Sequence, residues 1–203
     1  MIIGIIGLKG SGKSTLAEIL ENKYDFVSDS FAKPVKDIAS IIFNWDRDML
    51  DGITQESREW REKKDEEWSN ILDKNISPRL ALQLIGTEFG RNLICEDIWI
   101  ESLKMRSKNK NIVISDVRYL NEAESIKKNG GILIKICRGS EPAYLQYIEN
   151  NKIDKIDELE KFMKEKYPEI HSSDYIISLI EPHYIIYNDK DLTFLENEIS
   201  QIV

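Results

Sequence analysis

The chain has 203 residues, 41% of them hydrophobic, which suffices for one α/β core with excursions and falls short of two comfortable domains. A formal net charge of −8 makes the average surface repel a polyphosphate backbone, so no nucleic-acid partner is expected, while a local cleft of lysines and arginines could still hold a small phosphorylated ligand. With no apolar run of membrane-spanning length, an amino terminus that enters a strand at once, and only 2 cysteines and 2 histidines, the expectation is a cytoplasmic protein with no membrane partner and neither a disulfide framework nor a zinc site.

Met1 to Ile6 reads as a buried parallel strand. Behind it Gly7-Leu8-Lys9-Gly10-Ser11-Gly12-Lys13-Ser14 forms a complete phosphate-binding loop, which opens into a helix from Ser14 to Leu20. A strand that ends in a glycine-rich turn and a helix points several backbone N–H groups at one spot, where the helix dipole adds positive potential. Gly7, Gly10 and Gly12 permit the tight turn, Lys13 supplies an ammonium for the β- and γ-phosphates, and the Ser14 hydroxyl suits Mg²⁺. Lys9, Ser11 and Thr15 complete the predicted ATP-binding set.

Asp25 to Ser28 is a short second strand, and Ser30 to Lys36 turns into a helix that runs to Phe43. The charged stretch Trp45 to Asn75 reads as a solvated helix pair anchored by Trp60 and Trp68. Ser77 caps, and Pro78 opens, a helix from Arg79 to Ile85 that Gly86 is expected to end. A helix around Ile98 to Met105 and a basic loop at Arg106 to Lys110 lead to an apolar strand, Asn111 to Asp116, which closes on a carboxylate. Asn121 to Lys128 is helical, Gly130-Gly131 turns, and Ile132 to Ile136 is a strand. Gly139 to Ser173 shifts to polar and charged composition, with helical pieces after Glu141-Pro142 and from Ile156 to Lys166. Tyr184 to Tyr187 is a fifth strand, Asn188-Asp189 a turn, and Leu192 to Ile202 a closing helix. Such alternation specifies an α/β fold, a parallel sheet with helices on both faces and ligands at the carboxyl ends of the strands.

Asp116, at a strand end beside the phosphate loop, is placed to hold Mg²⁺ together with Ser14. Arg118, two residues on, can grip phosphate oxygens bidentately. A GTP-binding switch is the rival. Asn151-Lys152-Ile153-Asp154 imitates its guanine-reading tetrapeptide, but no buried strand precedes it and no Asp stands three residues before a Gly. What remains is a small-molecule kinase whose cations, spread over Lys33, Lys36, Arg79, Arg91, Arg118 and Arg138, fit an anionic acceptor better than a neutral sugar.

The chain resembles the deoxynucleoside monophosphate kinases of phages and large DNA viruses, relatives of the adenylate and thymidylate kinases. Besides the phosphate loop, the likeness rests on Ser30 to Lys36, Trp45, Leu50-Asp51-Gly52, Glu59-Trp60-Arg61, Pro78 to Glu88 with Arg91, Asp116-Val117-Arg118-Tyr119 and Asn188-Asp189. It implies a P-loop nucleoside monophosphate kinase domain over residues 1–203, with a five-stranded parallel sheet, an acceptor-binding segment at about 30–105 and a lid at about 139–173. Carried over by position, Phe31, Lys33, Arg79, Gln83, Thr87, Glu88 and Arg91 line the acceptor pocket. Lys13, Arg118, Arg138 and Asp116 form the catalytic set, with Mg²⁺ as cofactor and ATP and a deoxynucleoside monophosphate as substrates. A viral member would work in the host cytosol, and a homodimer stays open.

The likeness has a gap. Lids in the wider group bring arginines over the transferring phosphoryl, yet Gly139 to Ser173 contains none, and its lysines lack bidentate geometry. His171-Ser172-Ser173-Asp174 is an altered form of a His-x-Ser-Glu element of the family. Another acceptor, such as dephospho-coenzyme A or a nucleoside, is the enzyme alternative; a non-catalytic ATP-binding module is the other.

Overall fold

In the computed structural model, which describes residues 1–170 and 172–203, the apolar run behind the phosphate loop forms β1 (Ile2–Ile6), and the loop opens into α1 (Lys13–Tyr24). β2 (Val27–Asp29), β3 (Ile112–Ile114), β4 (Ile132–Cys137) and β5 (Tyr184–Tyr187) join β1 in a five-stranded sheet of order β2-β3-β1-β4-β5, parallel throughout. Ile3 and Ile5 point to one face, where Leu16 and Leu20 of α1 and Leu195 and Ile199 of α12 (Leu192–Ser200) close the core. On the opposite face Gly4 leaves the space that Ile126 of α8 (Leu120–Lys128) fills, since a Cβ there would overlap it. β1 is buried on both faces, and the alternation of its side chains fixes which helix lies on which face.

The chain divides into two compact units, Met1–Ser30 with Ser107–Val203, and Phe31–Arg106. The first holds the sheet. It also carries a satellite core of α9 (Ala143–Asn150), α10 (Ile156–Lys166), α11 (Ser172–Tyr175) and the 3₁₀ turn Ile176–Leu179, where Tyr144, Leu145, Leu159, Met163, Tyr175 and Ile176 are buried. Leu8 of the phosphate loop packs against this cluster.

The Phe31–Arg106 unit is entirely helical. After α2 (Lys33–Phe43), the stretch expected as a helix pair is three short helices, α3 (Arg47–Asp51), α4 (Gln55–Glu62) and α5 (Glu66–Ile71). Each has its own side-chain N-cap: Asp46 accepts from Asp48 and Met49, Thr54 from Ser57, and Asp65 from Trp68. Trp45 stacks on Phe43 at 4.2 Å and meets Trp60 edge-on at 5.9 Å, so these rings serve packing. α6 (Pro78–Gln83) starts as expected, with Ser77 Oγ accepting from Leu80 N at 3.2 Å.

Gly86, however, does not stop the helix. The chain continues in π-helical form over Leu84–Ile94, because Gly86 does not adopt the left-handed conformation a glycine stop requires. Its carbonyl instead accepts from Trp99 Nε1 at 2.8 Å, and Trp99, in α7 (Ile98–Arg106), lies against Gly90, where no Cβ would fit. The apolar strand before Asp116 is also shorter than expected. Beyond Ile114 the backbone leaves the ladder, as the N–H groups of Arg118 and Tyr119 turn to the buried carboxylate of Glu122.

Candidate active site

The phosphate loop is held in shape before any ligand arrives. Gly10 and Gly12 have φ of 83° and 107°, left-handed values that a side chain would strain, and Gly12 sits where the Asn188 amide leaves no room for a Cβ. That amide, buried at the end of β5, donates to Ser11 O at 2.9 Å, while Asn188 N donates to Cys137 O at 2.7 Å. The loop is thus tied to the ends of β4 and β5. Lys13 Nζ folds back onto the loop's own carbonyls, donating to Gly7 O at 2.8 Å and Leu8 O at 2.7 Å. Burial, reinforced by the Arg118 guanidinium and opposed by the Asp174 carboxylate, brings its pKa down to about 8. Ser14 and Thr15 are exposed in the first turn of α1, and Lys9 is exposed on the crest.

Arg118 follows β3. Its own backbone N–H donates to Glu122 Oε2 at 2.9 Å, and Tyr119 N donates to the same oxygen at 3.2 Å, so the first turn of α8 anchors the arginine's loop. Its guanidinium stands 3.5 Å from Asp174 Oδ1, both side chains half exposed. Asp116 lies two residues past Ile114. Because β3 runs parallel to β1 with Ile114 beside Gly4, the carboxylate sits at the same sheet end as the phosphate loop. No cluster of three metal-ligating side chains occurs among the described residues. Arg138, just past β4, is exposed and lines a cavity of about 300 Å³ beside the loop, shared with Leu8, Ser11, Lys135, Cys137 and Ile177. Lys135 pairs with Glu141 there at 3.0 Å, and burial pushes the Cys137 thiol up, leaving it protonated at neutral pH.

The acceptor residues expected from sequence all fall in the helical unit. Lys33 opens α2, Arg79 and Gln83 lie on α6, and Thr87, Glu88 and Arg91 lie on the π-helical stretch. Lys33, Arg79, Gln83, Thr87 and Glu88 are exposed and Arg91 is half-buried, whereas Phe31 is only 4% exposed. Glu88 accepts from Asn92 at 3.0 Å.

Comparison with known proteins decides the family. A family model described as an AAA domain matches residues 3–156. A protein of Acanthamoeba polyphaga mimivirus named "Putative deoxynucleotide monophosphate kinase" is 34% identical, with 68% of this chain and 74% of that one aligned. The chain belongs to the deoxynucleoside monophosphate kinase family. A second member, the "Deoxynucleoside-5'-monophosphate kinase" of Escherichia phage T5, is 28% identical, over 63% of this chain and 72% of its own. Among solved structures, shikimate kinase from Aquifex aeolicus aligns with 100% of this kinase and 95% of itself, at a TM-score of 0.45 and 17% identity. The chain is a P-loop phosphotransferase with a five-stranded parallel sheet. Among the described residues, no helix is long and apolar enough to cross a membrane.

Sequence reasoning gave no site role to several residues that shape this kinase. Asn188 was visible as part of a turn and of the family likeness, with no partner foreseen, and its tie to Ser11 spans 177 positions. Glu122 does carry a local signal, since a carboxylate three residues after a helix cap reaches back to the cap's N–H. Asp189, which accepts from Gly139 N at 2.7 Å, and Asp174 stood out only as parts of elements shared with the family, with no contact foreseen for either. His171 lies outside the described residues.

Proposed function

We propose that this kinase transfers the γ-phosphoryl group of ATP to a deoxynucleoside 5′-monophosphate, releasing ADP and the deoxynucleoside diphosphate. The observation that carries the reading is the preformed phosphate loop with Lys13 folded beside Arg118, on a chain whose aligned relatives bear that activity in their names. Phosphoryl transfer needs no protein nucleophile; it needs positioning and charge. Loop N–H groups from Gly7 to Ser14 bind the β- and γ-phosphates. Lys13 swings from Gly7 O and Leu8 O onto the transferring group, and Arg118 and Arg138 neutralise charge that builds on it.

The hydroxyl of Ser14 and the carboxylate of Asp116 are hard oxygen donors at one sheet end, a set that suits Mg²⁺ with its remaining positions left to water and phosphate oxygens. When bound, Mg²⁺ supplies charge neutralisation on the ATP phosphates. The Phe31–Arg106 unit is our acceptor-binding segment. There Lys33, Arg79 and Arg91 hold the monophosphate, Gln83, Thr87 and Glu88 read the nucleoside, and Phe31 reaches a base once its neighbours part. Gly139 to Ser173 is our lid, whose closure excludes the water that would hydrolyse ATP. We place the protein in the cytosol, with small-molecule substrates rather than nucleic acid, and as either monomer or homodimer.

A coupled assay of ADP release, run with deoxynucleoside and ribonucleoside monophosphates, dephospho-coenzyme A and free nucleosides, tests the reading. Turnover with deoxynucleoside monophosphates is the expected result. Activity only with the other acceptors, or ATP binding with no turnover at all, would discard it.

A further inference from the structure

Guanidinium groups in the Phe31–Arg106 unit are mostly committed to protein partners. Arg47 pairs with Asp37 at 2.6 Å and Asp51 at 2.8 Å, Arg58 donates to Gly52 O at 3.0 Å and Ile53 O at 2.6 Å, and Arg106 donates to Ser102 Oγ at 2.7 Å. Arg61 differs. It is half-buried, yet among the described residues no carboxylate stands within ion-pair distance, its Nε is buried with no hydrogen-bond partner, and Nη1 has only a long bond of 3.3 Å to Leu50 O. Its guanidinium lies directly on Gly52, a left-handed glycine with φ of 67° where any Cβ would overlap the side chain. The turn between α3 and α4 is shaped to seat this cation.

The seat lies close to another unpaired arginine. α4 packs on α6, which carries Arg79, a residue that likewise has no carboxylate partner among the described residues. Arg47, surrounded by carboxylates, is pushed above the usual arginine range, whereas Arg61 is pushed below it, first by burial and then by the charge of Arg79. The like charge of Arg79 acts on Arg61 more strongly than the opposite charge of Glu62 or of Asp51, and among the described residues neither carboxylate bonds the Arg61 guanidinium. Arg58 adds a third like charge nearby, and Asp51 is already bonded to Lys36 at 2.8 Å and to Arg47.

We propose that Arg61 and Arg79 together grip the 5′-phosphate of the acceptor, Arg61 being the deeper and pre-seated member. The inference rests on the acceptor reading of this unit. A 5′-monophosphate brings about two negative charges and three acceptor oxygens, enough to engage both forks. A nucleoside without phosphate offers neither.

The test is Arg61→Lys, which keeps the charge and loses the fork. With four deoxynucleoside monophosphates, the acceptor KM should rise at least about tenfold while the ATP KM stays within about twofold. Inhibition by the matching unphosphorylated deoxynucleosides should not change. Equal shifts in both KM values, or an acceptor KM that stays put, would overturn the proposal. In the unsubstituted kinase, the Arg61 Nε–H resonance should shift on adding a deoxynucleoside monophosphate and stay still with the nucleoside; a resonance that ignores a saturating monophosphate overturns it too, even if Arg61→Lys fails to fold. Should the unsubstituted kinase phosphorylate no monophosphate, the function proposed above fails first; should it do so while Arg61→Lys behaves normally, only the role of Arg61 falls.

Discussion

The two units treat the cations we assign to their anion sites in opposite ways. In the sheet-bearing unit, the key positive groups at the phosphate loop are occupied by the protein itself: Lys13 by two loop carbonyls and Arg118 by Asp174. In the helical unit, Arg61 and Arg79 have no carboxylate partner among the described residues. A site whose cations have internal stand-ins is rigid and loses those contacts when ligand enters, while a site with unpaired cations keeps repulsion that ligand removes. Anion binding should therefore be a modest exchange in the first unit and a larger net gain of order in the second.

Removing a cation that acts on the reacting phosphoryl should show the largest effect. Lys13→Ala should lower kcat by roughly 3 to 4 kcal/mol of barrier, about two to three orders of magnitude, with little change in the acceptor KM. Single-turnover phosphoryl transfer measures it, and an unchanged rate would take Lys13 out of the chemistry. Next comes the helical unit. Arg79→Ala should raise the acceptor KM by about ten- to a hundredfold, with the ATP KM nearly untouched, as expected for a charge-assisted contact worth roughly 1.5 to 3 kcal/mol. Equal changes in both would erase the contrast between the units.

What could be read in the sequence follows the same division. β1, the phosphate loop and α1 are written in one unbroken stretch from Ile2 to Tyr24, since an apolar run, a glycine pattern and a helix start act locally. The remaining strands were legible for the same reason. The helical unit was harder. Its three N-caps, Asp46, Thr54 and Asp65, are local signals that define three helices rather than two, but dense charge on every face hides the periodicity that separates them. Gly86 looked like a stop because a glycine is permissive on its own; the Trp99 indole that lets the helix continue comes from α7. Contacts such as Asn188 with Ser11 or Arg118 with Asp174 join side chains far apart in the chain, and no local pattern announces them.

Acidity offers a sharper comparison. Lys13 is lowered to about 8 from the ordinary lysine value of 10.5, so in the free enzyme it loses its proton as pH rises through about 8. kcat/KM for ATP should fall above that pH, approaching tenfold per unit, whereas kcat, reporting the complex in which triphosphate restores the proton, should stay level further into the alkaline range. Folding moves the other way. Between about 8 and 10.5 the native state binds fewer protons at Lys13 than the unfolded chain, so this group's contribution to stability grows with pH across that window. Thermal melts at pH 8 and 9.5 would separate the two, and a loss of kcat/KM that tracks a falling Tm would assign the profile to unfolding instead.

The smallest effect belongs to Asp174. Its carboxylate lies 3.5 Å from Arg118 and raises Lys13 electrostatically, so it stands in part where a phosphate oxygen would act. An ion pair this exposed is worth about 0 to 1 kcal/mol, and Asp174→Asn should therefore lower the ATP KM by no more than about fivefold at neutral pH. The same substitution takes away a negative charge that helps hold the Lys13 proton on, so the alkaline break in kcat/KM should move below about 8. The two readouts test different things. A lower KM with a fixed break would mean that Asp174 competes with ATP at Arg118 alone; a moved break with a fixed KM would mean that it acts on Lys13 through space without obstructing the site. If neither changed, the internal stand-in would have no functional weight, and the contrast between an occupied and an unpaired set of cations would rest on Lys13 and its two carbonyls.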